Sequence, residues 1–314
     1  MKRLIPLLLA AALFLCGCRT AGVPASAKKT VVCTVFAVYD MAKTLAEGTD
    51  TDVCLLTDGG ADIHSFQPTA KDMRTLGDAS LVVYLGGESD AWIADTVGNG
   101  QDSLALMAAL SADVKDEAYE NGFVGEGSAE ETEEADEKDE HIWLSPRLAM
   151  GITRALSDAL CDMDVDNAAV YRANAEQYLS LLSALDERFA ETAENAAARV
   201  LVIPDRFPFR YLADDYGITC FAAYPGCSAE TGASFDTVKT LADALDTYDL
   251  NAVCVTETAD RAIADAVIAA SGRKAIDVVT MDSMQSTRTG DGKSYLSVME
   301  ENRAALSKLL GERK

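Results

Sequence analysis

The chain holds two histidines among 314 residues, and both stand in shaped surroundings. His64 lies in Gly60-Ala61-Asp62-Ile63-His64-Ser65-Phe66-Gln67-Pro68-Thr69, and His141 in Asp139-Glu140-His141-Ile142-Trp143-Leu144-Ser145-Pro146. Each falls in a short loop just ahead of a predicted helix start. Neutral imidazole is the commonest side-chain metal ligand, so two sparse histidines in such loops point to one shared metal site. A lone histidine would read more simply as a cap or a surface residue. The paired settings favour ligation.

The elements that must position these loops alternate between strand and helix. Thr30 to Val38 reads as a strand followed by helix from Asp40; Asp52 to Leu56 and Ser80 to Leu85 read as further strands. Thr69 is a good N-cap for a helix to Leu76, with Asp72 placed for a capping box. Ser145 and Pro146 open a second helical region, as N-cap and first helical residue. From Asn167 to about Ala198, Tyr171, Ala175, Tyr178, Leu182, Leu185 and Phe189 recur at three- and four-residue steps, predicting one long helix. A second alternating block follows, with strands at 200–204, 219–223, 252–256 and 275–281 and helices at 207–215, 234–248, 259–271 and 294–310. Such alternation predicts an α/β fold with parallel sheets. The division is a lobe over 30–166, a rigid connecting helix over 167–198 and a second lobe over 199–314.

The first residues read as an export signal. Lys2 and Arg3 precede an apolar run from Leu4 to Leu15 that is too short to span a bilayer comfortably. The run closes on Leu15-Cys16-Gly17-Cys18, which resembles the bacterial lipobox and marks Cys18 for lipid modification. Residues 1–17 would then be a signal peptide, 18–29 a tether, and the protein anchored to a membrane rather than spanning it. The formal charge is −24, which excludes the basic face that nucleic-acid binding needs. Residues 126–140 hold nine carboxylates against Lys138. They read as a solvated insertion or as a lure that concentrates cations beside His141. No CxxC pair occurs among Cys33, Cys54, Cys161, Cys220, Cys227 and Cys254, so a zinc ribbon or dithiol motif is not expected. Cys33, Cys54 and Cys254 read as small core residues, and the spacing of Cys220 and Cys227 would allow a disulfide.

Several segments, taken in order, resemble the bacterial zinc/manganese ABC-transporter solute-binding lipoproteins. Asp62-Ile63-His64…Pro68-Thr69 is similar to that family's Asp-Pro-His…Pro-Thr segment, with Ile63 in place of proline. Residues 79–86 with Trp92, Glu140-His141-Ile142-Trp143-Leu144-Ser145-Pro146, 167–175 and Tyr211-Leu212-Ala213-Asp214-Asp215-Tyr216-Gly217 resemble later segments in the family's order. The resemblance implies a metal cleft between two βα lobes, each lobe supplying two ligands, and it implies His64 and His141 as the first pair. The third ligand in the family is His or Glu five residues before the tyrosine matching Tyr211; here that position is Arg206, a cation that cannot ligate a metal. Its neighbour Asp205 is the nearest substitute. The fourth is implied at Asp282, with Glu257 and Glu230 as further candidates. The resemblance also implies Zn2+ as cargo, with Mn2+ as the alternative, the permease and ATPase of an ABC importer as partners, a monomeric state, and lipid anchoring outside the cytoplasm.

The residues themselves leave the second lobe open. Asp205, Glu257 and Asp282 each follow an apolar strand directly, where open parallel sheets place ligands. Asp205 is equally suited to an ion pair with Arg206 or Arg210, and Glu257 to capping the next helix. Asp282 precedes no clear helix. Two imidazoles with one or two carboxylates suit zinc, or manganese if a carboxylate binds through both oxygens. No HExxH and no Gly-x-Ser-x-Gly occurs, so no enzyme is expected. A zinc hydrolase and a binder of an organic metal chelate remain the competing classes.

Overall fold

A computed structural model describes residues 28–97, 100–117, 122–124, 138–227 and 232–313. The expected signal peptide, Cys18, most of the tether, Glu230 and most of the acidic segment 126–140 lie outside the described residues.

The first lobe is built on β1 (Thr30–Cys33), β2 (Asp52–Leu55), β3 (Leu81–Tyr84) and β4 (Ser103–Ala105), in the order β2-β1-β3-β4 and parallel throughout. Alternation sends Val31, Cys33, Leu81 and Val83 into the main core and Val32, Val82 and Tyr84 into a smaller one on the other face, as expected of a parallel sheet covered on both sides. The main core receives α1 (Phe36–Leu45). The smaller receives Leu76 of α2 (Ala70–Gly77) and Ile93 of α3 (Trp92–Thr96). The single strand expected over 30–38 is in fact a strand, a turn and the start of α1. Val35, Phe36, Ala37 and Val38 are all buried, so their uniform apolarity carries no period to separate strand from helix. The Thr69 capping box forms as expected, with Asp72 accepting from the Thr69 N–H.

α4 (Leu106–Ala109) leads on to β5 (Gly122–Val124), which joins the second sheet although it precedes the long helix in sequence. α5 (Pro146–Met163) starts as read, with the Ser145 hydroxyl accepting from Leu148 N–H. α6 (Ala168–Glu194) is 27 residues long, about 40 Å at the helical rise. Tyr171, Ala175, Tyr178, Leu182, Leu185 and Phe189 form its buried stripe. It ends short of Ala198, because Ala197 and Ala198 turn their N–H groups to the carbonyls of Gly311 and Leu310.

The second lobe holds β6 (Val200–Phe207), α7 (Arg210–Tyr216), β7 (Thr219–Pro225), α8 (Phe235–Thr247), β8 (Ala252–Thr256), α9 (Arg261–Ala270), β9 (Asp277–Met281) and α10 (Tyr295–Leu310). Its strands pair in parallel as β5-β7-β6 and β8-β9, with β8 packed beside β6. One continuous core runs from β1 through α5, α6 and α10 to the Leu201, Cys220 and Cys254 face of this sheet. The long helix lays its buried stripe against α1, α5 and α10, and the lobes share a foundation while their strand ends face a common cleft.

Candidate metal centre

His64 and His141 stand at short 3₁₀ turns and Cys227 just past the carboxyl end of β7, the kind of loop at which open α/β sheets hold ligands. His64 lies in the single 3₁₀ turn Ile63–Ser65, whose N-cap Asp62 accepts from His64 N–H. His141 precedes the 3₁₀ turn Ile142–Leu144 that leads to the Ser145 cap. The two rings stack with centroids 5.2 Å apart and planes at 27°.

Both histidines are held in the same way. Asp62 Oδ1 stands 2.7 Å from His64 Nδ1, and Asp139 Oδ1 stands 3.0 Å from His141 Nδ1 while also accepting His141 N–H at 2.8 Å. An ionised carboxylate only accepts, so each Nδ1 carries the proton and each Nε2 keeps its lone pair. A carboxylate behind a ligating imidazole fixes its tautomer and strengthens its basicity. Asp-x-His therefore recurs as a unit at both loops. Burial opposes charge on Asp62, but His64 and then Arg206 outweigh it and hold the carboxyl far below the usual range. Burial likewise opposes charge on His141, yet Asp139 and Glu140 outweigh it and raise that ring above the ordinary value. Tyr211 donates its hydroxyl to Asp139 O at 2.7 Å and accepts from Lys115 N–H at 3.1 Å, which anchors the His141 loop to the second lobe.

The second lobe presents a different set from the carboxylates considered in sequence. His64 Nε2 or Nδ1, His141 and Cys227 Sγ bring ligand atoms within 4.8 Å of one another. Cys227 follows β7 through Gly226, where a Cβ would stand 2.8 Å from His141 Cε1 and 2.9 Å from Phe207 O. Only glycine lets the strand end come so close to the imidazole. Burial, then Glu117, Asp139 and Glu140, push the Cys227 thiol far up, so it is a protonated thiol until a metal displaces the proton. No disulfide joins it to Cys220, which is buried in β7.

Asp205, Glu257 and Asp282 do not join this group. A register shift in β6 between Ile203 and Arg206 turns Asp205 toward β8, where Oδ2 accepts both the N–H and the hydroxyl of Thr256. Glu257 accepts Ser283 N–H and Ser283 Oγ–H, each at 2.8 Å. Asp282 accepts Met284 N–H and pairs with Lys293 Nζ at 2.6 Å. Arg206 spans the cleft to Asp62 Oδ2 at 3.0 Å, so the cation at this position braces the carboxylate behind His64. The loop after β9 also brings in Gln285, whose Nε2 lies 2.6 Å from His141 Nε2. Met284 at φ 62° makes the bend that aims it, a conformation non-glycine residues adopt at a cost. Trp143 donates its indole N–H to Ser283 O at 2.9 Å and tilts against His141 at 5.3 Å.

Glu140 completes the surroundings. It is 2% exposed; Oε1 accepts Ser89 N–H at 2.8 Å. Its Oε2 lies 4.0 Å from His64 Nε2. Both of those atoms are buried without a hydrogen-bond partner, which is rare for buried polar groups and calls for an explanation. Glu140, Cys227 and Gln285 carry no ligand signal in their spacing alone. For Glu140 the signal was its place inside the second Asp-x-His unit.

Residues 31–309 match the model of the family described as zinc-uptake complex component A, periplasmic (ZnuA). The chain is 29% identical over 306 residues to the zinc-binding lipoprotein AdcA of Streptococcus pneumoniae, covering 96% of this chain and 60% of that one. It is 27% identical over 292 residues to the high-affinity zinc uptake system protein ZnuA of Bacillus subtilis, covering 89% and 86%. The chain thus spans little more than half the length of the streptococcal relatives, 55% for AdcA of Streptococcus pyogenes. Among solved structures, the Zn(II)-bound ZnuA-like domain of Streptococcus pneumoniae AdcA superposes with a TM-score of 0.69 at 25% identity, over 90% of this chain and 99% of that one. A mutant of the laminin-binding adhesin Lmb from Streptococcus agalactiae reaches a TM-score of 0.75 at 22% identity, over 90% and 100%, and so shares the fold. The two-lobe α/β architecture, the order of the histidine motifs and the family match agree, and the chain belongs to the ZnuA family of zinc-uptake components.

Proposed function

We propose that this protein captures a divalent transition metal outside the cytoplasm and delivers it to an ABC importer. Zinc is the cargo the site suits best, and manganese is next. The observation that carries the reading is the pair of stacked imidazoles, each fixed by an aspartate two residues upstream and each keeping Nε2 for a ligand. Such preorganisation is what metal-ligating histidines need. Membership of a zinc-uptake family and the zinc-binding names of its relatives support the same cargo.

In this reading residues 1–17 are a leader, Cys18 carries the lipid and 18–29 tether the body to the bacterial membrane. Residues 30–166, apart from the β5 segment that crosses to the second sheet, and 199–314 are the two lobes, and 167–198 the connecting helix. None of the helices among the described residues is long and apolar enough to cross a membrane. The permease and ATPase would receive the metal from a monomer. His64 and His141 are ligands. The acidic segment before His141 would raise the local cation concentration and the encounter rate.

Elemental analysis of purified wild type, His64→Ala and His141→Ala tests the reading. One divalent metal per wild-type chain, lost in both variants, is expected. Unchanged metal content in either variant would show that its histidine is no ligand.

A further inference from the structure

We infer that Cys227 and Glu140 complete the ligand set, so that the cargo is held by two imidazoles, one thiolate and one carboxylate. This rests on the reading of the cleft as a metal site and goes beyond it by naming the donors and, through them, the class of metal.

Three observations carry the inference. Cys227 is the residue that brings a third ligand atom within 4.8 Å of both histidines among the described residues. Glu140 is buried to 2% exposure and leaves Oε2 unpartnered, 4.0 Å from the equally unpartnered His64 Nε2. Among the described residues, the three candidate carboxylates of the second lobe are already engaged: Asp205 by Thr256, Glu257 by Ser283 and Asp282 by Lys293. Two orphaned acceptors facing one another in a buried cleft repel unless a cation or a proton lies between them.

The geometry suits zinc. Bonds of about 2.0–2.1 Å to nitrogen, ~2.3 Å to sulfur and ~2.0–2.2 Å to oxygen set neighbouring ligand atoms roughly 3.3–3.8 Å apart in a tetrahedron. The gaps among His64, His141 and Cys227, up to 4.8 Å, therefore close by up to about 1.5 Å when the bonds form, and the 4.0 Å between Glu140 Oε2 and His64 Nε2 by less than about 1 Å. The charges also balance. Forming the metal–sulfur bond releases the thiol proton to solvent, and thiolate plus carboxylate then neutralise a divalent ion between two neutral imidazoles. A thiolate favours zinc and other thiophilic ions over manganese, which prefers oxygen donors. Three donors come from the first lobe and the thiolate from the second, so the ion itself ties the lobes together.

Titration of the purified metal-free protein with cobalt(II), a spectroscopic substitute for zinc, tests this. The expected spectrum has intense tetrahedral d–d bands in the visible and a thiolate-to-cobalt charge-transfer band in the near ultraviolet. Cys227→Ser should lose the charge-transfer band while still binding cobalt through the remaining donors. Glu140→Gln, which keeps the acceptor for Ser89 N–H, should keep that band but bind zinc at least about tenfold more weakly. Wild type that binds cobalt with d–d bands and no charge-transfer band overturns the Cys227 assignment and leaves the metal-site reading intact. Wild-type zinc affinity in Glu140→Gln overturns the Glu140 assignment in the same way. Wild type that binds no cobalt and no zinc fails at the earlier step and removes both. Because the charge-transfer band is read in wild type, a poorly folding variant does not protect the inference.

Discussion

Asp139→Asn separates the charge behind His141 from the geometry. Asp139 Oδ1 accepts two bonds from His141, the backbone N–H at 2.8 Å and the ring Nδ1–H at 3.0 Å, with Asp139 1% and His141 0% exposed. Asparagine can leave a carbonyl oxygen in the same place and accept both, so only the negative charge goes. A hydrogen bond to an ionised group is about twice as strong as a neutral one. Because both bonds are present with and without metal, affinity falls by the ring basicity that the charge supplies, about tenfold or ~1.4 kcal/mol. Losses up to about a hundredfold match the range for partners of ligating histidines. The assay is competition for zinc against a chelator, with wild type and variant compared at the same alkaline pH. The metal-free Tm should move little, because no donor is left unpaired. A zinc affinity within twofold of wild type would show that the carboxylate charge does not strengthen His141 as a ligand. So would a fall in metal-free stability as large as the loss in affinity, since the effect would then be folding rather than ligand basicity.

Three further outcomes follow from the same cleft. Gly226→Ala puts a Cβ 2.8 Å from His141 Cε1 and 2.9 Å from Phe207 O; calorimetry should show about 1–3 kcal/mol of lost stability, together with weaker zinc binding, and a wild-type Tm would contradict the contact. Gln285→Ala removes the amide that donates to His141 Nε2 at 2.6 Å, a bond metal binding must break. Zinc should bind a few-fold more tightly, by the ~0.5–1.5 kcal/mol of one neutral hydrogen bond, and weaker binding in this variant would instead make Gln285 a contributor to the loaded state. Zinc affinity should fall as pH drops, because the ring of His141 must be neutral to ligate and its carboxylate neighbours raise it above the ordinary value. Affinity is therefore full on the alkaline side and begins to fall above about pH 6.5, where a free histidine would titrate; an affinity flat between pH 8 and 5 would contradict it.

The first half of the site was legible because histidine is rare in this chain and both copies stand in loops with strong neighbours: an N-capping Asp62 and Thr69 for one, Ser145 and Pro146 for the other. The long helix was legible through the spacing from Tyr171 to Phe189. The second half was harder. Asp205, Glu257 and Asp282 follow strands as ligands do, but so do residues that tie strand ends together, and spacing does not tell the two apart. The bend in β6 that sends Asp205 to Thr256 depends on pairing with β7, which is a tertiary property. Cys227 offered a thiol with another cysteine seven residues away, a spacing that allowed a disulfide as readily as a ligand. Gln285 is neutral, and its aim depends on the left-handed backbone at Met284, which no side-chain type announces. Arg206 was read as a gap in the ligand pattern; its structural partner is Asp62, across the cleft.

One metal ion held between the lobes on His64 and His141 is what the proposed function requires. Diffraction from zinc-loaded crystals at the zinc absorption edge tests it most directly. One strong anomalous peak is expected in the cleft, about 2.0–2.1 Å from Nε2 of both histidines. A peak bound by Asp205, Glu257 or Asp282 without either imidazole, or an ion held only on the acidic surface, would contradict it.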